Sequence, residues 1–289
     1  MTEITTLSPA KINLTLDVVG TRANGYHELR SVVHTVGIFD TITIGFGGAG
    51  LRFRCDKAEL CGDDNLCLKA ARAWQNATHR VLDCEIELQK IIPTGAGLGG
   101  GSSNAATVLQ MLNIYFDNAL DNSALLEIAA KLGADVPLFL RGESFSNGCA
   151  LMEGIGEKLT PLRALGGWIV VAQPLQTLST PQVFRKFDEL NTQSNHATNR
   201  VLEAMKSGAS LLEIAPLLSN DLTQAALSFV PKIDILITSM RDAGAINALM
   251  TGSGSAVFGV CEDEKSAHRV LDVVRRECEL TFGEVAPLV

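Results

Sequence analysis

Apolar and polar residues alternate over positions 11–18: Ile12, Leu14, Leu16 and Val18 on one side, Lys11, Asn13, Thr15 and Asp17 on the other. A period of two predicts a strand with one buried face, and it sets Lys11, Asn13 and Asp17 off the same surface. Asn24-Gly25 marks a turn. Strands are expected over residues 30–36 and 41–46, with Gly47-Gly48-Ala49-Gly50 as a loop. Asp63-Asp64-Asn65 starts a helix that reaches about Asn76. Residues 84–92 read as a strand, and residues 102–116 as a helix with Val108, Leu109 and Leu112 on one face. Ser123 is placed to cap the next helix, which ends at Gly133 as its C′ residue. Ala134-Asp135-Val136-Pro137 is a tight junction before an apolar strand over residues 138–140.

A boundary falls in residues 153–165, which hold Gly154, Gly156 and Pro161, and divides the chain into 1–155 and 156–289. Beyond it, residues 168–172 form a strand, and Thr180-Pro181 is a cap followed by proline at the first helical position. Residues 191–199 are polar and read as a mobile loop. Helices follow, one ending near Gly244. Strands over 246–251 and 256–261 flank Gly252-Ser253-Gly254-Ser255, and a helix from Glu264 to about Cys278 precedes a last short strand. The class is α+β.

Composition narrows the functions open to this pattern. The 289 residues are 46% hydrophobic and 19% charged, which describes a soluble chain with an ample core. A net charge of −8 repels nucleic acid on average, so none is expected as a partner. No run of about 20 apolar residues predicts a membrane span, and residues 1–10 carry neither the basic segment nor the apolar stretch of a signal peptide. Seven cysteines without a C-x-x-C pair fit reduced thiols and a cytoplasmic location. Cys55, Cys61 and Cys67 recur every six residues, but no histidine stands near to complete a zinc site, so they read as small apolar packing residues and not as metal ligands.

The segment Pro93-Thr94-Gly95-Ala96-Gly97-Leu98-Gly99-Gly100-Gly101-Ser102-Ser103 carries the chemistry. Five glycines in seven positions between a strand and a helix suit the close approach of phosphate to backbone N–H groups at a helix N-terminus. A P-loop would need lysine where Gly101 stands. A dinucleotide site would need a second parallel strand soon after the helix, and residues 117–122 lead to another helix instead. A third kind of phosphate loop fits: Ser102 and Ser103 add hydroxyls that can ligate a metal ion or bond phosphate oxygens. Phosphoryl transfer then needs Mg²⁺, positive charge and a group that orients or deprotonates the acceptor hydroxyl. Lys11 and Asp135 are the candidates for the last two tasks. Spacing alone leaves Lys11 equally open to being a surface strand lysine, and Asp135 to making local backbone bonds.

Four ordered stretches resemble the GHMP kinases. Pro9-Ala10-Lys11-Ile12-Asn13-Leu14 with Gly25-Tyr26-His27-Glu28-Leu29 is similar to the family's opening, although leucine or valine more often follows the lysine. The glycine segment with Asn104-Ala105-Ala106 is similar to the second motif, Leu132 to Pro137 to the catalytic aspartate segment, and Thr251 to Ser255 to the C-terminal glycine motif. The resemblance spans almost the whole chain and is strongest to the branch whose acceptor is a CDP-linked methylerythritol, in non-mevalonate isoprenoid biosynthesis. It implies a two-domain architecture, with a ribosomal protein S5 domain 2-like N-terminal domain and a ferredoxin-like C-terminal domain.

The resemblance also implies roles. ATP and Mg²⁺ are expected, with residues 93–103 and Asn65 contacting the nucleotide and Ser103 as a metal ligand; Asn65 is equally a helix cap. Lys11 and Asp135 are the implied catalytic pair, with Asp135 as general base and Lys11 keeping it ionised and stabilising the moving phosphoryl group. Asn13, Tyr26, His27 and Phe184 are implied on the acceptor side, Tyr26 and His27 at its cytidine part with His27 hydrogen-bonding the base, and Phe184 as a stacking partner for cytosine in place of the core packing its helical spacing suggests. His34, His79, His196 and His268 carry no functional expectation. The partner is a small molecule, with no membrane, and the chain is a monomer or weak homodimer. Two other readings stay open: a GHMP kinase for a sugar or mevalonate-type alcohol, or a nucleotide-binding protein without catalysis.

Overall fold

Both sides of the alternating stretch are buried, not one. Lys11, Asn13, Thr15 and Asp17 are as inaccessible as Ile12, Leu14 and Leu16. In the computed structural model, which describes residues 2–140 and 148–289, the expected single strand is two: β1 (Thr2–Asn13) and β2 (Thr15–Thr21). The break is at Leu14, whose N–H donates to Val32 O at 2.8 Å. The two strands expected over 30–36 and 41–46 are one, β3 (His27–Phe46).

Two compact units divide the chain. The first comprises Met1–Ala10, Ile38–Ile92 and Gly99–Ser146. Its elements after β3 are β4 (Leu51–Cys55), α1 (Leu66–Thr78), β5 (Cys84–Gln89), α2 (Gly100–Tyr115) and α3 (Asn122–Leu132). β5 pairs antiparallel with β3, Thr41 facing Gln89, and parallel with β4. The inward positions of β3 here are Ile38, Asp40, Ile42, Ile44 and Phe46, so one carboxylate stands in an otherwise apolar row. α1 and α2 meet through Trp74, which stacks on Phe116 at 5.0 Å and donates from Nε1 to Asn113.

Several boundaries in this unit differ from the sequence pattern. α2 starts at Gly100, not Ser102, because Gly99 turns the chain at φ +69°. α3 is capped by Asp121, whose carboxylate accepts from Ala124 N at 2.8 Å, not by Ser123. Gly133 ends α3 in extended backbone and not in the left-handed C′ conformation. The expected strand over 138–140 is a 3₁₀ turn, Pro137–Phe139, since Val136 already has helical dihedrals.

The second unit comprises Lys11–Gly37, Pro93–Leu98 and Asn147–Val289. β6 (Cys149–Gly154) and β7 (Lys158–Pro161) form a hairpin across the expected boundary segment, and β6 pairs with the first half of β3. Then come β8 (Trp168–Pro174), α4 (Thr180–Leu190), α5 (Ala197–Lys206), α6 (Leu211–Ile214), β9 (Ser219–Asn220) and α7 (Thr223–Leu227). The chain closes with α8 (Lys232–Asp242), β10 (Asn247–Met250), β11 (Val257–Cys261), α9 (Glu264–Glu277) and β12 (Leu280–Pro287). β10, β11, β8 and β12 make an antiparallel sheet in that order. With α8 and α9 as its crossovers this is a ferredoxin-like βαββαβ arrangement. α9 lays Ala267, Val270, Leu271 and Val274 into a core shared with Leu236 and Met240 of α8. Ser179, not Thr180, occupies the N-cap position of α4, without a side-chain cap bond, and Thr180 is the first helical residue. Part of the loop expected over 191–199 is the start of α5. Among the described residues, no helix is long and apolar enough to cross a membrane.

At the start of α5, the Asp17 carboxylate accepts from Thr198 N at 3.0 Å through Oδ2, while Oδ1 is buried without a hydrogen-bond partner. Burial, reinforced by Asp221, raises its pKa above the usual carboxylate value. A carboxyl group that binds its proton more tightly folded than unfolded stabilises the fold at low pH. That contribution is lost as pH rises from the ordinary carboxylate range through the raised value. Asp17→Asn cannot ionise. Its unfolding free energy relative to the native chain should therefore increase from pH 4.5 to pH 7.5 in urea titrations; an equal difference at both values would contradict the assignment.

Candidate active site

In the first unit the glycine segment is flanked by a buried network. Asp40 is fully buried; its Oδ1 accepts from Ile91 N at 2.7 Å and Ile92 N at 2.8 Å. Its Oδ2 accepts from Lys90 Nζ at 2.5 Å and Asn104 Nδ2 at 2.9 Å. Lys90 Nζ also donates to Ile92 O, and Asn104 Nδ2 to Ser8 Oγ. Asp40 thus ties the residues just before Pro93 to Asn104 near the start of α2. A Cβ on Gly100 would lie 2.8 Å from Ile92 Cγ2 and 2.9 Å from Lys90 Nζ, so the helix start and the network are packed to the limit. The first N–H groups of α2 have no acceptor within the helix, and its first turn carries no acidic residue, which leaves the positive end of the dipole for an anion.

In the second unit, residues 93–98 lie against the C-terminal glycine segment. Thr94 and Gly95 are exposed, while Ala96 and Leu98 are buried. Ala256 N donates to Ala96 O, and Lys11 N to Leu98 O. Gly97 has φ +80°, and a Cβ there would stand 2.3 Å from Thr251 O, so only glycine allows this contact of backbone with backbone. Asn220 Nδ2 donates to both Met250 O and Gly252 O and holds the second segment from below. Asn13 joins the two: its N–H donates to Thr251 Oγ1 at 2.9 Å, its Oδ1 accepts from Lys11 Nζ at 2.6 Å, and its Nδ2 donates to Ser31 Oγ. Lys11 is 4% exposed, which removes its reading as a surface lysine.

Also in the second unit, a cleft of about 490 Å³ is lined by Tyr26, His27, Leu29, Thr180, Phe184 and Asp188, among others. His27 stacks on Phe184 at 4.7 Å, and its Nε2 lies 2.7 Å from Asp188 Oδ1. Tyr26 stands open at 60% exposure. Phe184 both lines the cleft and packs on the core, so its two readings hold together. Thr180 Oγ1 and Ser253 Oγ are 2.7 Å apart, which joins this cleft to the C-terminal glycine segment.

The other expected site residues lie in the first unit. Asp135 is half-buried in the turn after α3. Asn65 caps α1: its Oδ1 accepts from Cys67 N, and its Nδ2 donates to Leu60 O. Ser103 is fully buried with its hydroxyl 2.7 Å from Ser8 Oγ, whereas Ser102 is half-buried and Gly101 exposed. Among the described residues, no three His, Cys, Asp or Glu side chains are grouped to hold a metal ion. Cys61 is exposed, and Cys67 is buried, its thiol pKa pushed up by that burial. His34 is interior and structural: Nε2 accepts from Leu165 N and Nδ1 lies 2.8 Å from Thr35 O, while burial lowers its pKa.

Sequence reasoning missed Asp40, Lys90, Asn220 and Asp188. For Asp40 a signal exists: it is the one charged residue at an inward position of the alternating stretch that ends at Phe46. Asp188 stands four residues after Phe184, on the same face of a helix, but nothing in the sequence points that face at His27.

Comparison with known proteins places these features in one family. The GHMP kinases N terminal domain matches residues 65–143, and the GHMP kinases C terminal domain matches residues 200–280. The chain is 38% identical over 279 residues to a 4-diphosphocytidyl-2-C-methyl-D-erythritol kinase of Citrifermentans bemidjiense, covering 95% of this chain and 96% of that one. A kinase of the same description from Geobacter sp. strain M21 is 38% identical, covering 100% and 99%. A crystal structure of 4-(cytidine 5'-diphospho)-2C-methyl-D-erythritol kinase superposes with a TM-score of 0.84 at 33% identity, covering 99% of each chain. The Methanococcus jannaschii mevalonate kinase shares the fold, with a TM-score of 0.73 at 13% identity.

Removing the Asp40 carboxylate would leave the Lys90 ammonium buried and unpaired. Breaking a buried pair in this way costs about 3–5 kcal/mol. Asp40→Ala should lose stability of that order in urea unfolding, and the KM for ATP should rise in what remains folded. A loss below about 1 kcal/mol, within the range of an exposed pair, would show that the network does not hold the segment.

Proposed function

The chain belongs to the GHMP kinases, and we propose that it transfers the γ-phosphoryl group of ATP to the 2-hydroxyl of 4-diphosphocytidyl-2-C-methyl-D-erythritol in isoprenoid biosynthesis. One observation carries the choice of acceptor within the family: the aromatic cleft at Tyr26, His27 and Phe184 joins the C-terminal glycine segment through Thr180 and Ser253. An acceptor whose pyrimidine lies in that cleft has its other end directed toward phosphate-binding backbone. Stacking of a base on an aromatic ring contributes about 1–3 kcal/mol. Because His27 already covers one face of Phe184, the base stacks on the exposed Tyr26 ring and on what Phe184 leaves open.

Roles follow from the chemistry each group can perform. The unpaired amides at the start of α2, with residues 93–103 as a whole, bind the ATP phosphates, and Asn65 lies on the nucleotide side. Asp135 accepts the proton of the acceptor hydroxyl as it attacks the γ-phosphorus in line. Lys11, held by Asn13, stabilises charge that develops on the transferred group. Asn13 has one amide hydrogen left for the acceptor. Alcohol oxygens are hard donors that suit Mg²⁺, which takes few protein ligands when substrate phosphates carry it. Ser102 would hold it, and Ser103 after release from Ser8; bound there, the ion neutralises charge on the phosphates. We place the border between the family's two halves at residues 155 and 156, outside both matched segments. We further assign the protein to the cytoplasm, as a monomer or weak homodimer without nucleic-acid partners, in keeping with its thiols and its charge of −8.

Asp135→Asn should lower kcat by about 10²–10⁴, the usual contribution of a general base, with the KM for ATP unchanged. Product from the native chain should carry the new phosphate on C2, read from phosphorus–carbon coupling. Near-normal turnover of the variant would remove Asp135 from the proton transfer, and phosphate on another carbon would overturn the assigned reaction.

A further inference from the structure

The His27 ring is held from three directions within the second unit. Phe184 stacks on it at 4.7 Å and 25°, Phe187 meets it edge-on at 6.3 Å, and Asp188 Oδ1 lies 2.7 Å from Nε2. The imidazole is 9% exposed, while the carboxylate that holds it is 55% exposed. Exposure makes the pair a weak source of stability. It does not weaken its directional consequence.

An ionised carboxylate only accepts hydrogen bonds. A neutral imidazole facing one therefore carries its proton on the facing nitrogen and a lone pair on the other. Asp188 thus puts the proton of His27 on Nε2 and leaves Nδ1 as an acceptor. A pyrimidine reaching this ring presents at C4 either an amine, as cytosine does, or a carbonyl, as uracil does. The amine can donate to Nδ1; the carbonyl would set lone pair against lone pair. Sites built to hydrogen-bond a substrate group discriminate strongly against an analogue that leaves the site's own group unpaired.

Resting on the reading of this cleft as the seat of the CDP moiety, we propose that Asp188 is a positioning residue that fixes the His27 tautomer and thereby selects a cytosine-bearing acceptor over a uracil-bearing one. It acts through His27 and not on the reacting atoms. Its effect belongs in the KM for the acceptor, with kcat and the KM for ATP unchanged.

The tautomer can be read without substrate. Nitrogen-15 NMR of the unliganded protein should show His27 protonated on Nε2, and Asp188→Ala should shift the ring toward a mixture. Kinetics with CDP-linked and UDP-linked methylerythritol should then show the ratio of kcat/KM, cytosine over uracil, falling about tenfold in Asp188→Ala, the order expected for one hydrogen bond. Asp188→Asn, matched in shape, guards against misfolding. Its amide can donate to Nε2 and permit the opposite tautomer, as happens when an aspartate behind a catalytic histidine is made asparagine, so its ratio should fall as well. An unchanged ratio in either folded variant, or a native His27 protonated on Nδ1, overturns the proposal. A native protein that does not turn over the CDP-linked acceptor overturns the reading of the cleft instead, while the NMR spectra still report on Asp188.

Discussion

The Asp40 carboxylate satisfies donors on both sides of the glycine segment: the amides of Ile91 and Ile92 before it and the Asn104 side chain after it. Lys90 supplies the balancing charge. A flexible run of five glycines would by itself sample many shapes, since glycine loses more freedom on ordering than any other residue. Fixing the two flanks within a dry, fully paired network limits that freedom without placing a side chain where a ligand must approach. The charged pair therefore acts less as a source of net stability, which buried pairs rarely are, than as a device that sets one geometry.

The second unit meets the same need by different means. Residues 93–98 are seated on Thr251 through a contact that has no room for a Cβ at Gly97, and Asn13 and Asn220 hold the backbone on either side of that contact. The polar side of the first alternating stretch is what makes this arrangement possible. Lys11, Asn13, Thr15 and Asp17 are all interior, and each has an interior hydrogen-bond partner. Asp17 has a partner for only one oxygen, and burial, reinforced by Asp221, makes its carboxyl hold its proton more strongly.

Much of this was legible in the residue pattern. The alternating stretch, the two glycine segments and the helices at Leu66–Thr78, Lys232–Asp242 and Glu264–Glu277 announce themselves by period and punctuation. The ordered motifs led to the family and the acceptor class. What stayed hidden depends on three-dimensional neighbours. Residues 11–18 read as a half-exposed strand because alternation reports chemistry on each face, not whether a second layer covers the polar one. Residues 138–140 read as a strand because they are apolar, yet the helical dihedrals at Val136 carry the chain into a 3₁₀ turn. Ser123 is a conventional cap residue, but the helix begins earlier and the Asp121 carboxylate takes the cap position, accepting from Ala124 N. The Asp188–His27 contact joins positions 161 residues apart, and no local signal encodes it.

The account turns on an acceptor recognised by its nucleotide end and phosphorylated at its alcohol end. The most direct measurement is ADP release from ATP with a panel of alcohols: the CDP-linked methylerythritol, the same alcohol without its nucleotide, mevalonate and homoserine. The account predicts turnover with the CDP-linked alcohol alone. Turnover of a nucleotide-free alcohol at a comparable kcat/KM would contradict it.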